Sequence, residues 1–193
     1  MLTTTDQIAT DQQLIERSLA GNQDAFGQLV RKYQDHLFTS LRHLTGSHAD
    51  AEDIVQDTFV QAYLKLSTFR QHSAFYTWLY RIALNQVYTR GRRQRIRACL
   101  SHTRPLNADD RSDPHGTPVD ELQRREEAKQ IHQALNSLSE EHRTILVLRG
   151  VEGFDYDTIA ELLELSAGTV RSRLHRARLE LRNQLKHQQD CCV

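Results

Sequence analysis

The sequence is poor in everything that builds a covalent or metal-held framework. It has three cysteines, two of them adjacent at the tail (Cys191, Cys192) and one, Cys99, alone in a polar stretch. That excludes a disulfide scaffold and points to a reducing, cytosolic setting. No apolar run approaches the roughly 18 residues of a membrane helix, and the N-terminus has neither a basic start nor an apolar core. Neither membrane insertion nor a signal peptide is expected. Strand-like alternation and internal repeats are absent, which leaves helices as the expected elements. There is no His-Glu-x-x-His string and no Gly-rich phosphate loop. Histidine is plentiful, at ten residues, but scattered. A metal-dependent hydrolase assembled from Asp35, His36, His48 and Asp50 is therefore only a distant alternative, and no metal or other cofactor is expected.

Net charge is also lacking: 25 basic residues balance 25 acidic ones. The balance is not local. Ala167 to His187 holds six Arg or Lys and one acid, and Arg90 to Arg97 holds five Arg and no acid. Acids gather at Asp50, Glu52, Asp53 and Asp57, and again from Glu121 to Glu164. Sharp basic patches suit contact with phosphates even in a neutral chain, because the field that matters is local.

Proline is confined to Pro105, Pro114 and Pro118, among Asn107, Asp109, Asp110, Asp113 and Gly116. This stretch reads as a linker. The predicted architecture is all-α: a bundle over 12–97, a Pro-rich linker over 98–119 and a second bundle over 120–187. Each bundle is small enough to be only marginally stable alone. In the first, a helix from Gln12 ends before Gly21. Asp24 is expected to cap the next, which Gly46 stops. Ser47 and Asp50 suggest a capping box for a third helix burying Ile54, Val55, Phe59, Ala62, Tyr63 and Leu66. In the second, one helix is expected near Asp120 to Leu138, and another runs from a Ser139 cap to Arg149.

Tyr156 to Leu185 carries the sharpest signal. A short apolar-periodic helix, a break at Glu164-Leu165-Ser166 and a basic second helix form a helix-turn-helix. Val170, Leu174, Ala177, Leu181 and Leu185 recur at helical spacing and face inward. Arg171, Ser172, His175 and Arg176 lie on another face, where forked and short polar side chains can read base edges in a major groove. The first amides of this helix, near Ala167 and Gly168, can hold a phosphate.

Two further segments carry chemistry. Asp50, Asp53 and Asp57 stand at offsets of zero, three and seven, on one helix face beside Gln56. They could dock a basic partner helix, or merely complement the helix dipole, although the dipole does not account for Asp57. Between Phe69 and Tyr88, aromatics alternate with Arg70, Arg81 and Asn85, a combination suited to stacking unpaired bases. Phe75, Leu79 and Ile82 share a buried spacing. Tyr76 and Tyr80 point away from it and are expected to be exposed.

Together these strings resemble bacterial sigma factors of the extracytoplasmic-function group. They are Ala51-Glu52-Asp53-Ile54-Val55-Gln56-Asp57-Thr58-Phe59, Phe75-Tyr76-Thr77-Trp78-Leu79-Tyr80-Arg81-Ile82-Ala83-Leu84-Asn85, and Gly168-Thr169-Val170-Arg171-Ser172-Arg173-Leu174-His175-Arg176-Ala177-Arg178. The resemblance covers residues 12–97 and 120–187. It implies a non-catalytic specificity subunit that binds core RNA polymerase and promoter DNA and is regulated by an anti-sigma factor. By the same resemblance, Asp50, Asp53, Gln56 and Asp57 would dock on the clamp helices of the largest polymerase subunit. Phe69, Arg70, Ser73, Tyr76, Trp78, Tyr80, Arg81 and Asn85 would read and melt the minus-ten element. Arg171, Ser172, His175 and Arg176 would read the minus-thirty-five element, with Arg149 and Arg178 on phosphates. Two positions depart from the family pattern. Glu164 stands where a turn glycine is usual, and His175 stands where the family varies. A stand-alone helix-turn-helix regulator is the main alternative. It would dimerise on a palindrome and would need neither the acidic helix nor the aromatic–Arg helix.

Overall fold

The computed structural model describes residues 10–101 and 130–190, with side chains described over 10–93 and 130–186. All regular elements among the described residues are helical. Helix α1 spans Asp11–Leu19, α2 Gln23–Thr45, α3 His48–Lys65 and α4 Phe75–Ser101, with a 3-10 turn at Leu66–Thr68. The second group comprises α5 over 130–137, α6 Glu140–Gly150, α7 Tyr156–Leu163 and α8 Ala167–Asp190. Helix α4 thus continues into the first residues assigned to the linker. The prolines, residues 120–129, Cys191 and Cys192 lie outside the described residues, as does the side chain of Cys99.

The helix boundaries follow from residues that satisfy orphan backbone groups. Thr10 and Gln13 close a capping box on α1. Asn22, not the expected Asp24, caps α2 by accepting the Ala25 amide. Asp24 sits inside the first turn, where its charge complements the helix dipole. Both residue types can cap. The chain turns at Gly21, with φ of 92°, and so presents Asn22 to the first free amides. Gly46 ends α2 in the left-handed conformation at φ 72°, which glycine adopts without a Cβ penalty. Ser47, Ser139 and Asp155 cap α3, α6 and α7 through their side-chain oxygens.

Packing joins the two groups. Helices α2, α3 and α4 form the N-terminal bundle and α6, α7 and α8 the C-terminal one, while α2 also packs on α6. Most of the buried apolar side chains, from Leu14 to Ala177 but without Ala134, Leu135 and Leu138 of α5 and its end, make one continuous cluster through both bundles. Each marginal bundle therefore covers part of its apolar surface with the other. Arg143 pins the junction. Its Nε and Nη2 donate to the carbonyls of Leu135 and Asn136 at 2.9 and 2.8 Å. Its Nη1 reaches across to the Leu44 carbonyl at the end of α2, at 3.1 Å. One difference from expectation lies in α3, where Tyr63 is 43% exposed, although its ring meets Phe26 edge-on.

Candidate nucleic-acid interface

The helix-turn-helix is built on a tight left-handed corner. Glu164 ends α7 at φ 55° and ψ 43°, so the turn keeps the geometry a glycine would give while carrying a side chain. The amides of Glu164 and Leu165 both close on the Ala160 carbonyl, the arrangement that ends many helices. Ser166 accepts the Thr169 amide and starts α8. Val170, Leu174 and Ala177 are buried, which turns Arg171, Ser172, His175, Arg176 and Arg178 to solvent. Ser172 donates back to the Thr169 carbonyl at 3.0 Å, so its hydroxyl is held against its own helix. Arg173 pairs with Glu141 at 3.2 Å and His142 with Glu180, fixing α8 against α6.

Arg149 and Arg178 meet at an open pocket of about 280 Å³ with Leu146, Gly150, Gly153 and Leu174 in its lining. Arg149 donates to the Phe154 carbonyl at 2.8 Å and lies over the Tyr156 ring at 5.3 Å. Two cations at one rim are what a phosphate backbone crossing α8 would meet.

On α3, the three carboxylates do share a face, with side-chain exposures of 34% for Asp50, 63% for Asp53 and 54% for Asp57. Gln56 beside them is exposed. They are not free of counter-charge. Arg90 of α4 sends one guanidinium nitrogen to Asp53 at 3.1 Å and the other to Asp57 at 3.0 Å, with Asp50 at 3.8 Å. In the sequence Arg90 belongs to a basic run suited to phosphate; in the fold it is bound to the acids. The same face continues into Val60 and Leu64, which are 57% and 68% exposed.

The aromatic helix is where expectation and structure part most clearly. Tyr80 is fully buried and Tyr76 largely so. Both were expected to be exposed because they point away from Phe75 and Leu79. They do point away, but the C-terminal bundle covers them. Phe154 meets Tyr80 edge-on at 5.5 Å and Tyr76 at 6.3 Å. The Tyr80 hydroxyl lies 2.6 Å from that of Ser40. Glu152, with no exposed side-chain surface, meets His36 Nε2 at 3.1 Å. Burial pushes the Glu152 carboxyl pKa up, and the hydroxyls of Ser40 and Tyr76 and the His36 ring partly offset that. Burial likewise raises both tyrosines. Phe69 and Trp78 are half-buried and pack on one another at 5.2 Å, whereas Arg70, Ser73, Arg81 and Asn85 are exposed.

The hydrolase constellation does not come together. His36 goes to Glu152 and His48 to Glu52, and no cluster able to hold a metal occurs among the described residues. The residues that sequence reasoning missed are those of the seam between bundles: Ser40, Arg143, Glu152 and Phe154. Glu152 and Phe154 had one sequence signal, a charged and an aromatic residue inside the Gly150–Phe154 turn, which a solvated turn does not require; Ser40 and Arg143, within α2 and α6, had none. No helix among the described residues is long and apolar enough to cross a membrane.

Residues 29–97 match the family pattern of sigma-70 region 2, and residues 128–181 that of sigma-70 region 4. The chain is 38% identical over 173 residues to the RNA polymerase sigma-H factor of Pseudomonas aeruginosa, covering 87% of this chain and 90% of that one. It is 36% identical over 191 residues to the ECF RNA polymerase sigma-E factor of Haemophilus influenzae, covering 92% and 96%. Among solved structures, it is similar to the sigma factor RpoE in complex with the anti-sigma factor NepR from Bartonella quintana. That match has a TM-score of 0.72 and 28% identity, over 83% of this chain and 96% of the other. It is also similar to CnrH in complex with the cytosolic domain of CnrY, with a TM-score of 0.66 and 29% identity over 92% and 97%.

Proposed function

This chain belongs to the extracytoplasmic-function group of RNA polymerase sigma factors and directs transcription initiation with core polymerase at promoters, and from that we propose how its surfaces divide the work. The α3 face of Asp50, Asp53, Gln56 and Asp57 docks on the clamp helices of the largest polymerase subunit. The loop with Phe69, Arg70 and Ser73, followed by Tyr76, Trp78, Tyr80, Arg81 and Asn85, reads the upstream half of the minus-ten element. There one base leaves the stack and is held by the protein, at a cost of a few kcal/mol that stacking and backbone contacts offset. Arg171, Ser172, His175 and Arg176 read the minus-thirty-five element, while Arg149 and Arg178 hold its phosphates.

The observation that carries the upstream assignment is the two-faced character of α8. Buried Val170, Leu174 and Ala177 fix its rotation, and that rotation turns four consecutive-turn polar side chains outward together. As in a specificity subunit, the chemistry stays with the polymerase and this chain supplies positions. Because Tyr76 and Tyr80 are covered by Phe154 and Glu152, minus-ten reading requires the bundles to separate. Of the two structural relatives, RpoE is in complex with the anti-sigma factor NepR and CnrH with the cytosolic domain of CnrY. We read an anti-sigma factor as this chain's regulator too. The test is initiation mapping: core polymerase plus this chain should start transcripts at sites that core polymerase alone does not use. An unchanged set of start sites, with any inhibitor removed, would refute the proposal.

A further inference from the structure

The acidic face of α3 already has an occupant. Arg90 divides its two terminal nitrogens between Asp53 and Asp57 and leans on Asp50. A guanidinium forked across two carboxylates is the strong form of a charge-assisted hydrogen bond. Its exposure explains its position. The Arg90 side chain is 28% exposed, against 63% for Asp53 and 54% for Asp57. The cation therefore lies lower, between α3 and α4, and the carboxylates stand proud of it. A second cation can reach them from outside, but it must do so beside a charge of its own sign.

The rest of the face indicates that something does come from outside. Val60 and Leu64 continue the line of Asp53 and Asp57 at offsets of seven and eleven and lie open to solvent. A face that served only to pair α3 with Arg90 would end at Asp57 and would not need two exposed aliphatic residues in register. Acid followed by apolar surface along one helix fits a partner helix whose basic turns adjoin apolar ones.

We propose that Arg90 is an exchangeable internal counter-ion that lowers the affinity of the α3 face for the basic helix of core polymerase and gives way when that helix docks. The inference rests on the docking role of Asp53 and Asp57 proposed above. Arg90 has two opposing effects. It orders the carboxylates, which favours docking, and it cancels about a third of their charge, which opposes it. The ordering effect is small, since partly exposed ion pairs contribute little once side-chain entropy is counted. The charge effect is larger, since an incoming cation sits within several ångströms of the guanidinium. Removing the charge should therefore tighten binding.

The experiment titrates the full-length chain, fluorescently labelled, with core polymerase and compares Arg90→Gln, Arg90→Met and Arg90→Lys. Gln and Met remove the charge, and Met keeps the packed stem, so one of them reports even if the other perturbs the fold. Both should bind core polymerase about fivefold more tightly at low salt, given a repulsion screened by solvent at that range. The gain should shrink as salt is raised through the Debye length that spans the site. Arg90→Lys should stay near the native affinity. Unchanged or weaker binding by the folded neutral variants overturns the proposal, as does an equal gain from Arg90→Lys. Asp53→Arg with Asp57→Arg separates the two levels. If that pair leaves core binding intact, the docking face itself is misplaced. If it abolishes binding while the Arg90 variants show no gain, the docking face stands and the counter-ion role falls.

Discussion

Phe154→Ala offers the most direct test of the seam between the bundles. Phe154 is half-buried between Tyr80 at 5.5 Å and Tyr76 at 6.3 Å. Truncating a fully buried phenylalanine costs about 3–5 kcal/mol. With part of the ring in solvent, the loss here is roughly 2 kcal/mol, including its share of two aromatic contacts. It falls mainly on closure of the bundles, because the ring's contacts to the tyrosines exist only when they are packed together. At about 1.4 kcal/mol per decade, that moves the closed-to-open ratio by roughly 30-fold. Tyr80, with no exposed surface in the closed chain, is the natural reporter. Hydroxyl-radical or nitration footprinting read by mass spectrometry should find Tyr76 and Tyr80 reactive in Phe154→Ala. Phe75 and Leu79, buried within the N-terminal bundle itself, should stay protected. Core-dependent opening of a minus-ten duplex should rise in parallel. If Tyr80 stays as protected as in the native chain, the bundles are not held together by Phe154 and the reasoning fails. If Phe75 and Leu79 lose protection as well, the bundle has unfolded and the seam was misjudged.

Other expectations concern separate surfaces. Arg171→Ala or Arg176→Ala should cost about 1–3 kcal/mol of discrimination for the upstream element while core binding survives; equal losses on scrambled upstream sequences would place these residues on phosphate alone. His43 is held neutral by burial first and then by His132 and Arg42, which lowers its pKa from 6.5 to about 4. Its contribution to stability is thus intact above pH 6.5 and is lost as pH falls toward 4. Melting curves over that range should fall more steeply for the native chain than for His43→Gln, and identical slopes would refute the assignment. Glu164→Gly should raise stability by roughly 0.5 kcal/mol, since relief of a left-handed side chain exceeds the extra backbone entropy of glycine; a lower melting temperature would show that the Glu164 side chain contributes to the turn.

Much of the helical frame was legible because it is written in local signals. Gly46 and Ser47 mark the break between α2 and α3, Ser139 marks the start of α6, and the spacing of Val170, Leu174 and Ala177 fixes the inner side of α8. Asn22 and Asp24 show the limit of such signals: two competent caps lie two residues apart, and the path of the chain through Gly21 selects one. The placement of a candidate site residue was legible wherever its surroundings come from its own helix, as for the exposed Arg171 and Arg176. It was not legible where they come from afar. Tyr76 and Tyr80 do leave the inner face of α4, as their spacing requires, but Phe154 and Glu152, more than 70 residues away in sequence, close over them. Arg90 looked like one of a row of phosphate ligands because the acids it meets lie on the preceding helix.

The clasp of Arg143 has an outcome for how this molecule meets a salty medium. Besides the ion pairs His36–Glu152 and Arg81–Glu161, the two halves are fastened by Arg143 on the neutral carbonyl of Leu44 and by the Phe154 ring against those of Tyr76 and Tyr80. These last two contacts lose little to dissolved ions, whereas attraction to nucleic acid fades steeply as those ions accumulate. A rise in ionic strength would therefore strip away the chain's companions well before it loosened the chain itself, leaving a folded, shut molecule ready to engage again when the medium is diluted.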